Sequence, residues 1–369
     1  MMVVEKVFIF GLNVIYFFLK LIPTNKKKVF FLSRQSNELS LDYKMLIEEI
    51  NKSYPDYKVV TFTKMMGKSF KDKVAYIKYL FIQMYHLSTS KTCVIDGYNI
   101  TTSILKHKKS LQIIQIWHAL GAIKKFGYQT LDKQSGTDSK TAKTMKMHKN
   151  YNLIVTGSNA MTKYFSEAFN QSEDKFINCG LPRIDYILKE SKNNKKKILK
   201  KYPELKKKKI ILYVPTFRKG EQYYTKKLYD NVDHDKYELI IKGHPIKKLE
   251  TLSVEKEYTS LELLSIADYI ITDYSAISIE ASILEKPLYF YLYDLDEYQK
   301  TTGLNIDLKK EMPGCCFKNA KDLIKAIEKD NYDIEKVKKF KTKYIDNLDG
   351  TSTEKLVKYI VGELKWESL

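Results

Sequence analysis

The sequence predicts an α/β protein made of two Rossmann-like halves, on three observations. Short apolar strands alternate with stretches of helical spacing, the pattern of a parallel sheet with crossover helices. The alternation occurs twice, on either side of a run dense in Lys and Asn at residues 191–209. A chain of 369 residues with 44% hydrophobic content is long enough to bury two ordinary cores.

The first element is an apolar stretch from Val7 to Ile22, VFIFGLNVIYFFLKLI, interrupted by Asn13 and Lys20 and followed by Pro23 and Lys26-Lys27-Lys28. It falls slightly short of the ~20 apolar residues that a spanning helix wants, and no small-residue cleavage site follows it. Residues 1–25 are read as an amphipathic helix lying in the membrane interface, in preference to a buried first helix or a spanning anchor. The lysines beyond Pro23 would then face anionic headgroups, which predicts a peripheral protein on the cytoplasmic side of the cell membrane. The first α/β half, residues 26–190, has strands expected at 28–32, 58–62, 92–95, 111–117 and 153–156. Residues 191–209 are read as the linker. The second half, residues 210–335, has strands expected at 210–214, 238–241, 269–272 and 287–291. Residues 336–369 read as helices that cross back to the first half. Two α/β halves joined by a charged linker point to a GT-B-like architecture, with the active site expected in a central cleft that the two domains face.

The second half carries the most informative stretch, IIKGHPI followed by LLSIADYIITDYSAISIEASILEKPLYFY. Tyr269-Ile270-Ile271 is a short buried strand, and Thr272-Asp273-Tyr274-Ser275 is the turn opening a helix from about Ala276 to Leu284. A strand that delivers hydroxyls to a helix start is where α/β proteins hold phosphate, because free backbone N–H groups and the helix dipole face the anion. One unit upstream, the strand ending at Ile241 delivers Lys242, Gly243, His244 and Pro245. Lys242 supplies a positive charge, Gly243 permits close backbone approach, and His244 supplies an imidazole that donates to phosphate oxygens. By itself KGHP is equally an ordinary strand-ending turn. Paired with TDYS it predicts a phosphorylated substrate.

These two motifs, in order with several others, resemble the CDP-glycerol glycerophosphotransferases of wall teichoic acid synthesis. The others are Gln115-Ile116-Trp117-His118-Ala119 with Lys124-Lys125-Phe126-Gly127, Val155-Thr156-Gly157-Ser158, Cys179-Gly180-Leu181-Pro182-Arg183-Ile184-Asp185, Leu212-Tyr213-Val214-Pro215-Thr216-Phe217-Arg218, Met312-Pro313-Gly314 and Asp349-Gly350-Thr351-Ser352. The resemblance covers roughly residues 110 to 355. Ala119-Leu120-Gly121 stands where many members have Gly-Thr-Pro, and Glu280 where many have Asp. The first departure, and a length expected to leave no room for the extra N-terminal region of long polymerases, place the chain nearer the short priming branch.

The resemblance implies that a hydroxyl of an undecaprenyl-diphosphate-linked disaccharide attacks the glycerol-side phosphorus of CDP-glycerol and that CMP leaves. Positioning and charge stabilisation dominate such chemistry. The expected donor-binding residues are Lys242, Gly243, Thr216, Arg218, Ser275, Ala276, Glu280 and Arg183. Asp273 reads either as one of them or as a cap of the helix start. His118, following an apolar strand, is the expected base, a role that typically contributes 10²–10⁴-fold; the alternative is a strand-end histidine satisfied by backbone. His244 is the second expected catalytic residue. His86, His107, His148 and His234 read as surface or packing residues. No metal ligands are assigned and no cofactor is expected, with a Mg²⁺ requirement left open. A ribitol-phosphate donor, a chain-extending or capsular activity, and a non-catalytic membrane scaffold are the competing readings.

Composition agrees. Sixty-four Lys plus Arg against 44 Asp plus Glu give a net charge of +20, which favours an anionic membrane surface or phosphorylated ligand, although part of the excess is compositional. Nucleic acid is not expected as a partner: there is no zinc spacing, RNA-binding aromatic motif or arginine-rich reading helix. Oligomerisation is left open. Gly67-Lys68-Ser69 mimics the end of a phosphate-binding loop, but Phe62 occupies the position that requires glycine, and no G-x-G-x-x-G follows a strand. Four cysteines without metal spacing fit a reducing compartment.

Overall fold

The computed structural model of the chain describes residues 2–65, 67, 70–216, 218, 221–243 and 254–365. The chain forms two compact units. The first comprises Met1–His118, Phe126–Arg183 and Thr351–Leu369, and the second Ala119–Lys125 and Ile184–Gly350.

The first unit is built on a six-stranded sheet: β1 (Asn25–Ser33), β2 (Lys58–Thr63), β3 (Ser90–Ile95), β4 (Gln112–Gln115), β5 (Leu153–Val155) and β6 (Phe176–Ile177). The spatial order is β2-β1-β3-β4-β5-β6 and every pairing is parallel. Val29, Phe30, Phe31 and Leu32 are all buried, the continuous apolar run expected of a strand covered on both faces. Strand order reverses between β1 and β3, and such reversal points open a crevice at the carboxyl ends of the strands.

The second unit repeats the plan with five parallel strands, β7 (Lys209–Val214), β8 (Tyr237–Ile241), β9 (Tyr269–Thr272), β10 (Leu288–Tyr291) and β11 (Cys316–Phe317), in the order β11-β10-β9-β7-β8. Its reversal lies between β7 and β9. Ile211, Tyr213, Leu239, Ile271 and Tyr291 pack in one core with Leu323 and Ile327 of the helix Ala320–Glu328. Each fully buried aliphatic of this kind stabilises the unit by roughly 1.5–3 kcal/mol.

Three sequence expectations change. Residues 191–209 are not an irregular linker: a helix runs unbroken over Pro182–Lys201, followed by a 3₁₀ turn at Pro203–Lys206 and the start of β7. Lysine is a good helix former, and Ile187 and Ile198 are buried on the helix, so the lysines are its solvated face. The strand expected at 111–117 stops at Gln115, because Trp117 adopts a left-handed backbone with φ 56°. The helix after β9 is shorter than expected, Ile277–Ser282. The chain crosses between units at Ala119–Lys125 as well as at the end, where Thr351–Leu369 returns to the first unit. There Thr92 Oγ1 donates to the Ile360 carbonyl at 2.8 Å.

The N-terminal helix, Met2–Leu19, docks through Leu12 and Tyr16, both buried, and through Asn13. Asn13 Nδ2 donates to the carbonyls of Ile9 (2.9 Å) and Ile104 (3.2 Å), and its Oδ1 accepts from Lys106 N at 3.0 Å. The polar interruption of the apolar run is therefore an inward-facing anchor. Val7, Phe10, Val14, Phe17 and Leu21 lie on the opposite stripe, at 64, 70, 42, 58 and 72% exposure. The neighbouring helix Phe70–Thr89 exposes Ile77, Phe81 and Tyr85. Among the described residues, no helix is long and apolar enough to cross a membrane.

Candidate active site

In the second unit, the carboxyl ends of β7 and β9 flank the reversal point and bring Thr216, Arg218, Asp273 and Ser275 together. Asp273, fully buried, is the hub. Its Oδ1 accepts from Thr216 Oγ1 (2.7 Å) and Ser275 N (3.1 Å), and its Oδ2 accepts from Thr216 N (2.8 Å) and Arg218 Nη1. Arg218 also grips Asp294 in a two-pronged pair, Nε to Oδ2 at 2.7 Å and Nη2 to Oδ1 at 3.0 Å. Its guanidinium lies 4.5 Å from the ring centroid of Tyr293, 5.2 Å from Tyr274 and 5.7 Å from Tyr298. Burial works against the Arg218 charge, but Asp273 and Asp294 outweigh it and raise its pKa further. Tyr274 donates from its hydroxyl to Asp294 Oδ1 at 3.0 Å and stacks on Tyr298 with centroids 4.0 Å apart. The result is a closely bonded platform, one cation between two carboxylates, below the turn that carries Ser275 and Ala276.

Lys124 joins this platform, and sequence reasoning gave it no role. The crossing segment pairs with the second unit: Lys124 bridges Leu304, Lys125 N donates to the Gly303 carbonyl at 3.0 Å, and Asn305 N donates to the Ile123 carbonyl at 2.8 Å. Burial holds the Lys124 ammonium below its usual range, against the pull of Asp273 and with a push from Arg218. Asp294, Tyr293 and Tyr298 were also missed, since each lies outside any recognisable motif. Lys124 stands in a quoted motif, and its position beside Phe126-Gly127 was the available signal.

Lys242 and Gly243 end β8 on the same edge. Lys242 N donates to the Tyr213 carbonyl at 2.8 Å, and its ammonium donates to the Glu255 carbonyl. Burial lowers its pKa while Glu255 and Glu262 oppose the shift. A Cβ on Gly243 would meet Glu221 Oε1 and Pro215 Cγ, each at 3.0 Å, so the chain itself packs close against this glycine. Glu280 is buried on the helix Ile277–Ser282. His244, Pro245, Lys68 and Ser69 lie outside the described residues.

In the first unit His118 follows the left-handed Trp117. Trp117 N donates to Gln115 Oε1 at 2.8 Å, and its indole stacks on Phe126 at 4.7 Å. A left-handed backbone is costly for a bulky residue and persists only where the surroundings over-determine it. Here it turns the exposed His118 ring back against the Trp117 ring, centroids 4.2 Å apart. His118 Nδ1 lies 2.9 Å from the carbonyl oxygen of Asp96, at the end of β3. A carbonyl can only accept, so Nδ1 carries the proton and Nε2 holds the lone pair of the neutral ring. The Asp96 side chain is buried and accepts from Ser33 Oγ at 2.8 Å; burial pushes its carboxyl up to about 6. Arg183 is brought beside His118 within the first unit. Its Nε donates to Asp42 Oδ2 at 3.0 Å and its Nη1 donates to the His118 carbonyl at 2.9 Å. His107, half-buried, and His148, buried, are packing residues, bonded to the Tyr16 and Tyr151 hydroxyls. Among the described residues, no group of three or more His, Cys, Asp or Glu side chains has the arrangement of metal ligands.

Residues 14–362 match the family model described as CDP-Glycerol:Poly(glycerophosphate) glycerophosphotransferase. The chain belongs to this glycerophosphotransferase family. It is therefore a transferase. Among similar proteins, a teichoic acid ribitol-phosphate primase of Bacillus spizizenii is 31% identical, with 92% of each chain covered. A teichoic acid glycerol-phosphate primase of Bacillus subtilis is 30% identical, with 96% of each covered. The solved wall teichoic acid polymerase TagF shares the glycerophosphotransferase fold with a TM-score of 0.73 at 20% identity, over 98% of this chain and 95% of that one. The motifs that predicted the family, Trp117-His118 and Thr272–Ser275 among them, all fall within the matched span.

Proposed function

We propose that the chain transfers glycerol phosphate from CDP-glycerol to a hydroxyl of an undecaprenyl-diphosphate-linked disaccharide, as a priming step of wall teichoic acid synthesis. The acceptor oxygen forms a bond to the glycerol-side phosphorus, the bond from that phosphorus to the bridging oxygen breaks, and CMP leaves with the electron pair. The acceptor proton passes to His118 Nε2. The observation that carries this reading is His118 itself, exposed, with Nδ1 fixed on the Asp96 carbonyl, so that the neutral ring carries its lone pair on Nε2. A base held in one tautomer needs no rearrangement before it accepts a proton.

The donor's diphosphate is assigned to the turn Thr272–Ser275 with Ala276, backed by Thr216, Arg218, Lys124 and Lys242, with His244 as the second imidazole. Arg218 is already paired with two carboxylates, so its part is to hold Asp273 and the turn in place. Lys124 is the second cation set against these two carboxylates. The chain is proposed to act at the cytoplasmic membrane face, with the exposed stripe of the Met2–Leu19 helix in the interface.

A second reading, transfer of ribitol phosphate from CDP-ribitol, is favoured by the ribitol-phosphate primase at 31% identity. The experiment is CMP release by purified protein with CDP-glycerol or CDP-ribitol, with and without the lipid-linked disaccharide. Acceptor-dependent release with CDP-glycerol and about one addition per acceptor supports priming. Release with CDP-ribitol alone moves the assignment to the second reading, and long products move it to chain extension. Silence with both donors contradicts both.

A further inference from the structure

A cavity of about 670 Å³ opens in the first unit between the N-terminal helix, the chain at Lys106, and the segment around the short helix Ser139–Thr144. Its apolar wall comes from Ile9 and Phe10, and five lysines line it: Lys6, Lys106, Lys140, Lys143 and Lys146. Among the described residues, no carboxylate lines it. Among the described residues, none of the five ammonium groups has an ion-pair partner, although ion pairs are common elsewhere on this surface. Five like charges around one apolar opening repel each other, and folding gains nothing from gathering them.

The backbone beneath the cavity is built at a cost. Lys146, His148 and Asn150 all have left-handed φ, 48, 57 and 71°, a conformation uncommon in residues other than glycine. Asn150 Nδ2 holds this segment by donating to the carbonyls of Thr102 (2.9 Å), Ser103 (3.0 Å) and Leu105 (3.1 Å). The same strap therefore fixes both Lys146 and the chain leading to Lys106. Asn13, which accepts from Lys106 N, ties the third wall to it. Burial, with Lys149 and Lys106 nearby, lowers the Lys146 ammonium. Phe10 belongs to both the cavity and the exposed stripe Val7, Val14, Phe17 and Leu21. The apolar wall thus continues onto the surface assigned to the membrane.

We propose that this cavity binds the phosphate headgroup of an anionic bilayer phospholipid, with the lipid chains leaving along the Phe10 side onto the exposed stripe. The assignment rests on the peripheral membrane reading above. Charge complementarity selects the headgroup: a phosphate neutralises the unpaired lysines, and an apolar wall at the cavity mouth suits the adjoining chains. A soluble phosphate would satisfy the lysines but leave Ile9 and Phe10 unused.

The test is flotation of the full chain with vesicles of phosphatidylglycerol mixed with phosphatidylcholine, and with phosphatidylcholine alone. Lys106→Gln/Lys143→Gln/Lys146→Gln is compared with the control Lys192→Gln/Lys196→Gln/Lys200→Gln, whose lysines are exposed on the second unit. Unfolding curves establish that both variants remain folded. A basic residue near an anionic surface is worth roughly fivefold in binding, so the cavity variant should lose about a hundredfold on the anionic vesicles. The control should lose less than about fivefold. Equal losses in both variants would reduce the effect to net charge and overturn the site. Wild-type binding to neither vesicle would overturn the membrane reading itself. Undiminished vesicle binding by the cavity variant would overturn the site alone. Lysine-dependent binding of soluble glycerol 3-phosphate, with no such dependence on vesicles, would reassign the cavity to a free phosphate and overturn the lipid assignment.

Discussion

Removing the Arg218 guanidinium should destabilise the second unit far more than a surface ion pair would. Asp273 is fully buried, and the side chain of Arg218 is 14% exposed. Without the arginine, Asp273 keeps only neutral donors, the Thr216 hydroxyl and amide and the Ser275 amide, and Asp294 loses both of its prongs. Breaking a buried pair from one side costs about 3–5 kcal/mol, because the remaining charge is left in a poorly polarisable interior. Loss of the cation above Tyr293 adds about 0.5–1 kcal/mol. Arg218→Lys should recover only part of this, since an ammonium cannot fork between two carboxylates. The assay is denaturant unfolding of ligand-free wild type, Arg218→Ala, Asp273→Asn and the double variant. The double variant should cost about 2–3 kcal/mol less than the sum of the singles, because it removes both charges together. Strict additivity, or an Arg218→Ala variant within about 0.5 kcal/mol of wild type, would refute the platform and leave Arg218 as a surface ligand group.

Other consequences follow from burial and backbone. Burial depresses His107 to about 4 and His148 to about 3. Both are neutral when folded, so stability should fall as pH drops from about 6.5 toward 4, by about 1.4 kcal/mol per pH unit for each; a flat profile over that window, by calorimetry, contradicts their burial as neutral rings. Asp96 has the opposite sign: with its folded value raised to about 6, ionisation costs stability as pH rises from about 4 to 6. Asp96→Asn should therefore stabilise the protein by up to about 3 kcal/mol at pH 7 and by nothing below pH ~4; destabilisation at pH 7 would show that its charge is needed. Gly127 has φ +57°, and a Cβ there would lie 2.2 Å from the Ala168 carbonyl oxygen. Gly127→Ala should cost more than the roughly 1–2 kcal/mol of left-handed strain alone, and an unchanged melting temperature would contradict that packing.

The α/β alternation was legible because buried parallel strands are written as unbroken apolar runs, as at Phe30–Leu32 and Ile270–Ile271. The edge strands β6 and β11, two residues each, leave no periodicity to read. The Lys-rich run was misread because its buried apolar positions, Ile198 and Leu205, are outnumbered by solvated lysines. Thr216, Arg218, Asp273 and Ser275 were legible as a group because each ends a strand or opens the following turn. Their internal pairing was not, since Asp294 sits 21 residues beyond Asp273 in sequence and only the fold of β10 returns it. Arg183 illustrates the same limit: its motif is local, while its partner Asp42 lies on another helix. The N-terminal apolar run was correctly seen as interrupted, but only the structure assigns Asn13 to the docked side.

The most direct test of the account is a comparison of wild type with His118→Ala and His118→Gln, reading CDP-glycerol binding by calorimetry and acceptor-dependent CMP release in parallel. If His118 Nε2 takes the acceptor proton, both variants bind the donor within a few-fold of wild type while release falls by about 10²–10⁴-fold, and the acid limb of the wild-type pH–rate profile disappears from the residual activity. Release retained within about tenfold, or a loss fully accounted for by weaker donor binding, would contradict the assignment of His118 as the base.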